Sequence, residues 1–144
     1  MKTVAELLRG KPQAAVYSVE PEASVLDAVK VMAEKGIGAL VVMSKGQLLG
    51  IISERDYVRK VVLLDTAAST VLVSEIMTSE LITVGLRDTL SGCMQLMTDR
   101  RLRHLPVIAE GEMIGLLSIG DLVKETIAEQ ARLIEQMEQY IRGE

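Results

Sequence analysis

At 144 residues and 15.7 kDa the chain has the length of one compact domain, and 49% hydrophobic content is ample for a core. A net charge of −4, a pI near 5.1, no Trp or Phe and only three tyrosines (Tyr17, Tyr57, Tyr140) leave neither a basic nucleic-acid footprint nor a stacking platform for single strands. No apolar run approaches the ~20 residues that span a bilayer, and the start of the chain lacks a signal-peptide pattern. A cytoplasmic protein with no nucleic-acid and no membrane partner is expected, and its single cysteine, Cys93, forbids an internal disulfide and a zinc cage.

Val4 to Leu8 reads as a short helical lead-in stopped by Gly10-Lys11-Pro12. Val16-Tyr17-Ser18-Val19 follows as a short β segment. Ser24 then caps a helix whose Val25, Ala28, Val29 and Met32 share a face. A β-hairpin comes next: Ala39 to Met43 and Leu48 to Ile52 flank Ser44-Lys45-Gly46-Gln47, where glycine supplies positive φ. These runs are apolar at successive positions, which predicts strands buried on both faces. The second strand reaches Ser53 and turns into a charged, helix-compatible segment, Tyr57 to Val62.

The chain then repeats itself. After a linker, Asp65 to Thr70, a lead-in Val73 to Thr78 precedes a β segment Leu81 to Val84, a helix from Thr89 with Leu90, Cys93, Met94 and Met97 on one face, and a hairpin of Leu105 to Ile108 with Met113 to Leu117 around Gly111. Gly50-Ile51-Ile52-Ser53-Glu54-Arg55-Asp56 matches Gly115-Leu116-Leu117-Ser118-Ile119-Gly120-Asp121, and the same offset of 65 residues pairs Met32 with Met97, Leu40 with Leu105 and Gly46 with Gly111. A register held without a gap over most of the unit means two copies of one supersecondary element. Cys93 pairs with Ala28 and reads as a small buried side chain rather than a reactive thiol. Pro106 cannot donate to a ladder and belongs at the start or edge of its strand. Beyond the second copy, Ile127, Ala131, Ile134, Met137 and Ile141 recur at three- and four-residue spacing, an amphipathic helix of about four turns. It packs either on its own domain or on a second subunit, with a dedicated effector helix as the other reading.

Ser53 and Ser118 stand where N-caps belong, with Asp56 and Asp121 three residues on, so each copy has a capping box with aspartate in place of glutamate. The same residues suit a ligand, since free N–H groups at a helix start favour phosphate and a carboxylate there can accept from a ribose diol. Capping alone explains one such motif; its recurrence after a glycine in both copies favours a site.

The two glycine–apolar–x–Ser–x–x–Asp stretches, the Glu75-Ile76-Met77-Thr78 lead-in and His104-Leu105-Pro106-Val107 together resemble the tandem cystathionine-β-synthase-type (CBS) domain pair, or Bateman module, from Val4 to about Ile127. The resemblance implies an α/β (α+β) fold of two β-α-β-β-α repeats (4–64 and 73–127, linker 65–72) packed sheet to sheet about a pseudo-twofold, plus a C-terminal amphipathic helix (128–144). It implies a regulatory, non-enzymatic homodimer that controls an unknown protein and binds an adenine nucleotide (AMP, ADP, ATP or NAD) with no catalytic cofactor. The other reading is a structural dimerisation module with vestigial clefts. By the same resemblance, Asp56 and Asp121 hold ribose, and Ser53 and Ser118 hold phosphate or hydroxyl. The adenine lies against the first strand of its own copy and the start of the hairpin: Val16, Tyr17, Ile37, Gly38 and Ala39 in one site, Ile82, Thr83, His104, Leu105 and Pro106 in the other. Arg55, Arg59, Arg103 and His104 are phosphate candidates, with His104 equally readable as a strand-edge histidine; Arg101 and Lys60 are weaker ones. Because copy two has Gly120 where copy one has Arg55, and Arg103-His104 where copy one has Gly38-Ala39, the sites are expected to differ in affinity or ligand.

Overall fold

A computed structural model describes residues 2–10, 16–64 and 66–143; Lys11, Pro12, Asp65 and Glu144, which enter the expectations above, lie outside them. Copy one contains helix α1 (Val4–Arg9), strand β1 (Ser18–Val19), helix α2 (Val25–Lys35), the hairpin β2 (Ala39–Ser44) and β3 (Gln47–Ser53), and helix α3 (Glu54–Tyr57), which runs on as a π turn over Val58–Val62. Copy two contains α4 (Val73–Ile76), α5 (Leu90–Arg100), the hairpin β4 (His104–Ala109) and β5 (Glu112–Ser118), and α6 (Ile119–Arg142).

Local chemistry accounts for most boundaries. Ser24 accepts from the Asp27 N–H, Thr89 from the Gly92 N–H, and α2 stops at Gly36 in the left-handed region. Both hairpins turn on two consecutive residues with positive φ, Lys45-Gly46 and Glu110-Gly111, the geometry that matches strand twist. In β2 the expected double burial holds: Leu40 and Val42 enter the core beneath α2, while Ala39 and Val41 enter a separate apolar layer with Ile51, Met113 and Leu116. That layer lies between the two copies and joins their sheets. Cys93 is buried, and desolvation, then the charge of Asp88, pushes its thiol pKa up.

Four features depart from or extend the sequence reading. First, the expected strand Leu81 to Val84 does not form; it is reduced to one parallel bridge, Val84 to Val107. In copy one the Val41 N–H donates to the Tyr17 carbonyl, whereas the residue 65 positions later is Pro106, which has no N–H to give. Second, the lead-in helices are exchanged. Val4 and Leu7 of α1 sit in the core of copy two with Leu90, Cys93 and Leu105, and Val73 and Ile76 of α4 sit in the core of copy one with Val25 and Leu40. Backbone bonds seal each exchange: Val4 N–H to Asp88 O, Leu90 N–H to Lys2 O, Val73 N–H to Ala23 O. Third, the linker is fastened to α2, with the Leu26 N–H donating to Ala68 and the Val25 N–H to Val71. Fourth, α6 passes position 127 without a break as a single 24-residue helix, so the last helix of copy two and the tail are one element. No helix among the described residues is long and apolar enough to cross a membrane.

Candidate functional site

Each hairpin delivers its second strand to a serine that caps the next helix. Ser53 Oγ accepts the Asp56 N–H at 3.2 Å, and Asp56 Oδ2 accepts from both the N–H and the hydroxyl of Ser53 at 3.0 Å. Asp56 Oδ1 faces Lys60 Nζ at 3.3 Å and receives the Thr78 hydroxyl at 3.5 Å. In copy two, Ser118 Oγ accepts the Asp121 N–H at 3.1 Å and Asp121 Oδ2 the Ser118 N–H at 2.8 Å. Both are complete capping boxes. The first helix N–H in each copy is tied back to the hairpin start, Glu54 to Gly38 O at 3.0 Å and Ile119 to Arg103 O at 2.9 Å. These bonds hold each serine and aspartate beside the gap between the copies.

Two clefts open in that gap. One, of about 400 Å³, is lined by Val16, Tyr17, Ile37, Gly38 and Ala39 from copy one and by His104, Ile114, Leu116, Ser118 and Asp121 from copy two. The other, of about 350 Å³, is lined by Ser53, Arg55, Asp56 and Arg59 from copy one and by Leu81, Ile82, Arg101, Arg103, His104 and Pro106 from copy two. Gly38, His104 and Ser118 border both, so the clefts adjoin. Both sizes lie in the range of small-molecule pockets, and each combines an apolar wall with a few convergent polar groups.

The clefts are therefore crossed. The first-strand wall of each copy faces the serine and aspartate of the other copy, not of its own, because the two sheets pack through the Val41, Ile51 and Leu116 layer and bring each hairpin against the opposite junction. Two expected residues are displaced from the site. Leu105 is 0% exposed and belongs to the core of copy two, since strand alternation turns it away from the gap. Thr83 is exposed and lines neither cleft, and the same holds for its copy-one counterpart Ser18, the outward-facing residue of β1. Lys60 lines neither; its ammonium bridges Asp56 and the Ile76 carbonyl, the latter at 2.8 Å. Arg101, the weaker candidate, is at the second cleft. The sequence reading missed Leu8, Ile114 and Leu116 at the first cleft and Thr78 and Glu80 at the second. Ile114 and Leu116 were open to recognition by their alternation with buried Leu117. Leu8 was not, because it arrives on the exchanged helix.

The family model described as "CBS domain" matches residues 4–63 and 73–128. The CBS domain-containing protein CBSX3, mitochondrial, of Arabidopsis thaliana is 40% identical over 149 residues, covering 98% of this chain and 72% of that protein. A solved CBS-domain structure superposes with a TM-score of 0.83 at 48% identity, covering 88% of this chain and 98% of that one. A CBS-domain containing protein from Agrobacterium tumefaciens superposes with a TM-score of 0.82 at 36% identity, covering 87% and 99%. CBSX2 in complex with AMP shares the fold, with a TM-score of 0.74 at 23% identity over 89% of this chain and 98% of that one. Two matched segments, two copies at one offset and two hairpins ending on capping boxes lead to the same conclusion: this chain is a tandem pair of CBS domains and belongs to the CBS-domain family.

Proposed function

We propose that this chain is a regulatory module that binds adenosine-containing nucleotides in the clefts between its two CBS domains and releases them unchanged. The observation that carries the reading is the composition of each cleft. Val16, Tyr17 and Ile37 offer a base an apolar face opposite Ser118 and Asp121, and Ile82 and Pro106 offer one opposite Ser53 and Asp56. A ribose diol donating to one of these carboxylates makes charge-assisted bonds of about 1.5–3 kcal/mol each. The AMP held by CBSX2 on the same fold supports this ligand class. Calorimetry with AMP, ATP and NAD, followed by chromatography of the recovered nucleotide, tests both halves; no heat with any of the three, or a new product, would overturn it.

The module acts as a homodimer in this proposal. Val58, Val62, Val123 and Ile127 are exposed on the terminal helices of the two copies, and α6 extends the apolar surface through Ile134, Met137 and Ile141. Ile127, Ile134 and Ile141 repeat every seven residues with Met137 at the intervening seam position, a pattern that a second copy of the same helix can meet knob to hole. A structural dimer with vestigial clefts remains the second reading. It is favoured by one observation: both oxygens of Asp56 already have partners in Ser53, Lys60 and Thr78.

A further inference from the structure

The two clefts share a backbone plan but not a charge. Arg55, Arg59, Arg101 and Arg103 all line the second cleft, and none of their guanidinium groups has an ion pair or hydrogen bond among the described residues. Sixty-five positions away stand Gly120, Lys124, Gly36 and Gly38. Among the described residues no arginine or lysine lines the first cleft, where Asp121 is the charged side chain, and Lys35 nearby is held over the Tyr17 ring at 5.2 Å. The same fold thus presents one cleft ringed by guanidinium groups and one whose matching positions are mostly bare backbone.

Arg101 carries a second signal. It sits at the left-handed C-terminus of α5 with φ 55°, the position that glycine occupies in copy one as Gly36 with φ 66°. Glycine takes this conformation freely and arginine does not. The strained residue places its side chain at the cleft, in line with the clustering of backbone strain at ligand sites. The carboxylates there do not cancel the arginines: Asp56 is bonded to Ser53 and paired with Lys60, leaving Glu54 and Glu80 against four guanidinium groups. Guanidinium forks match phosphate oxygens in pairs. Contributions from α3, the π turn and the α5–β4 turn surround the cleft from several sides, which suits a chain of phosphates better than one.

We propose that the second cleft is a polyphosphate subsite, and that through it alone the protein distinguishes nucleoside di- and triphosphates from monophosphates. The nucleoside half of this inference rests on the adenylate reading above; the phosphate half does not. The test is calorimetry of the full chain with adenosine, AMP, ATP and inorganic tripolyphosphate. The same titrations follow for Arg101→Gly/Arg103→Gly, which gives the second cleft the residues of the first, and for Arg103→Gln as a milder variant. The parent should bind ATP at least about tenfold more tightly than AMP at one site, with an advantage that shrinks as salt rises, and tripolyphosphate should compete. Both variants should lose most of the ATP advantage, the double one to within about threefold, and keep adenosine binding. A parent without an ATP advantage, or a double variant that retains it, overturns the proposal. Tripolyphosphate binding without adenosine or AMP binding would sink the adenylate reading and leave the subsite standing. AMP binding without tripolyphosphate competition would do the reverse.

Discussion

Replacing Gly50 by alanine tests how the exchanged lead-in builds the second cleft. An ideal Cβ on Gly50 would stand 2.8 Å from the Thr78 carbonyl oxygen and 2.9 Å from the Met77 sulfur. Thr78 cannot retreat freely, because its carbonyl accepts the Ile51 N–H at 2.9 Å and its N–H donates to Ile51 O at 2.8 Å. Forcing a methyl into such a contact costs about 1–3 kcal/mol, and the reduced freedom of the unfolded alanine chain returns about 0.4–1 kcal/mol. The net expectation is a loss of about 1–2 kcal/mol. Gly115, its counterpart, provides the control. There the clash at 2.8 Å is with Leu8 Cδ2, the tip of a side chain that can rotate, so Gly115→Ala should stay within about 0.5 kcal/mol of the parent. Urea unfolding followed by circular dichroism reads both. Because Thr78 also lines the second cleft, Gly50→Ala should weaken ATP binding there as well. A Gly50→Ala protein as stable as the parent, or a Gly115→Ala protein equally damaged, would refute the reasoning.

The crossing of the clefts predicts which substitutions share a binding event. Asp121→Ala should lose about tenfold to hundredfold in affinity at the cleft walled by Tyr17, so its effect should be non-additive with Tyr17→Ala, whereas Asp56→Ala should add to Tyr17→Ala independently; titrations of the double variants decide. Truncation after Glu129 removes Ile134, Met137 and Ile141 and should weaken the dimer by at least about tenfold, read by light scattering; an unchanged dimer mass across dilution would contradict the seam. Glu125 has its pKa lowered by hydrogen bonds from Lys2, then Arg132, at 2.9 and 3.0 Å. The stability it adds is present above the ordinary glutamate range and lost as pH falls through the depressed value, so Glu125→Gln should flatten the acid limb of a stability-against-pH curve by no more than about 1 kcal/mol. An unaltered acid limb would count against the ion pairs.

Much of this arrangement was legible in the chain because short-range chemistry decides it. Ser24, Thr89, Ser53 and Ser118 cap the helices they precede, and Gly46 and Gly111 turn the hairpins, since each acts on neighbours within a few residues. The offset of 65 also revealed the two copies before any contact was known. What stayed hidden depends on partners distant in sequence. Val4 and Leu7 carry the same apolar pattern as Val73 and Ile76, and nothing in either pattern states which copy will bury it, so the exchange of the lead-ins could not be read. The crossed clefts follow from the inter-sheet layer, the burial of Leu105 follows from strand alternation in β4, and the expected strand at Leu81 to Val84 is lost opposite Pro106. Pro106 was correctly read as an edge residue, but its effect falls on a segment more than 20 residues earlier.

The most direct test of the central claim is an experimental structure of the protein with AMP. The account predicts adenine against Val16, Tyr17 and Ile37 with its ribose on Asp121 of the opposite copy, or against Ile82 and Pro106 with its ribose on Asp56. Both clefts vacant at saturating AMP, or a ribose held away from both aspartates, would contradict it.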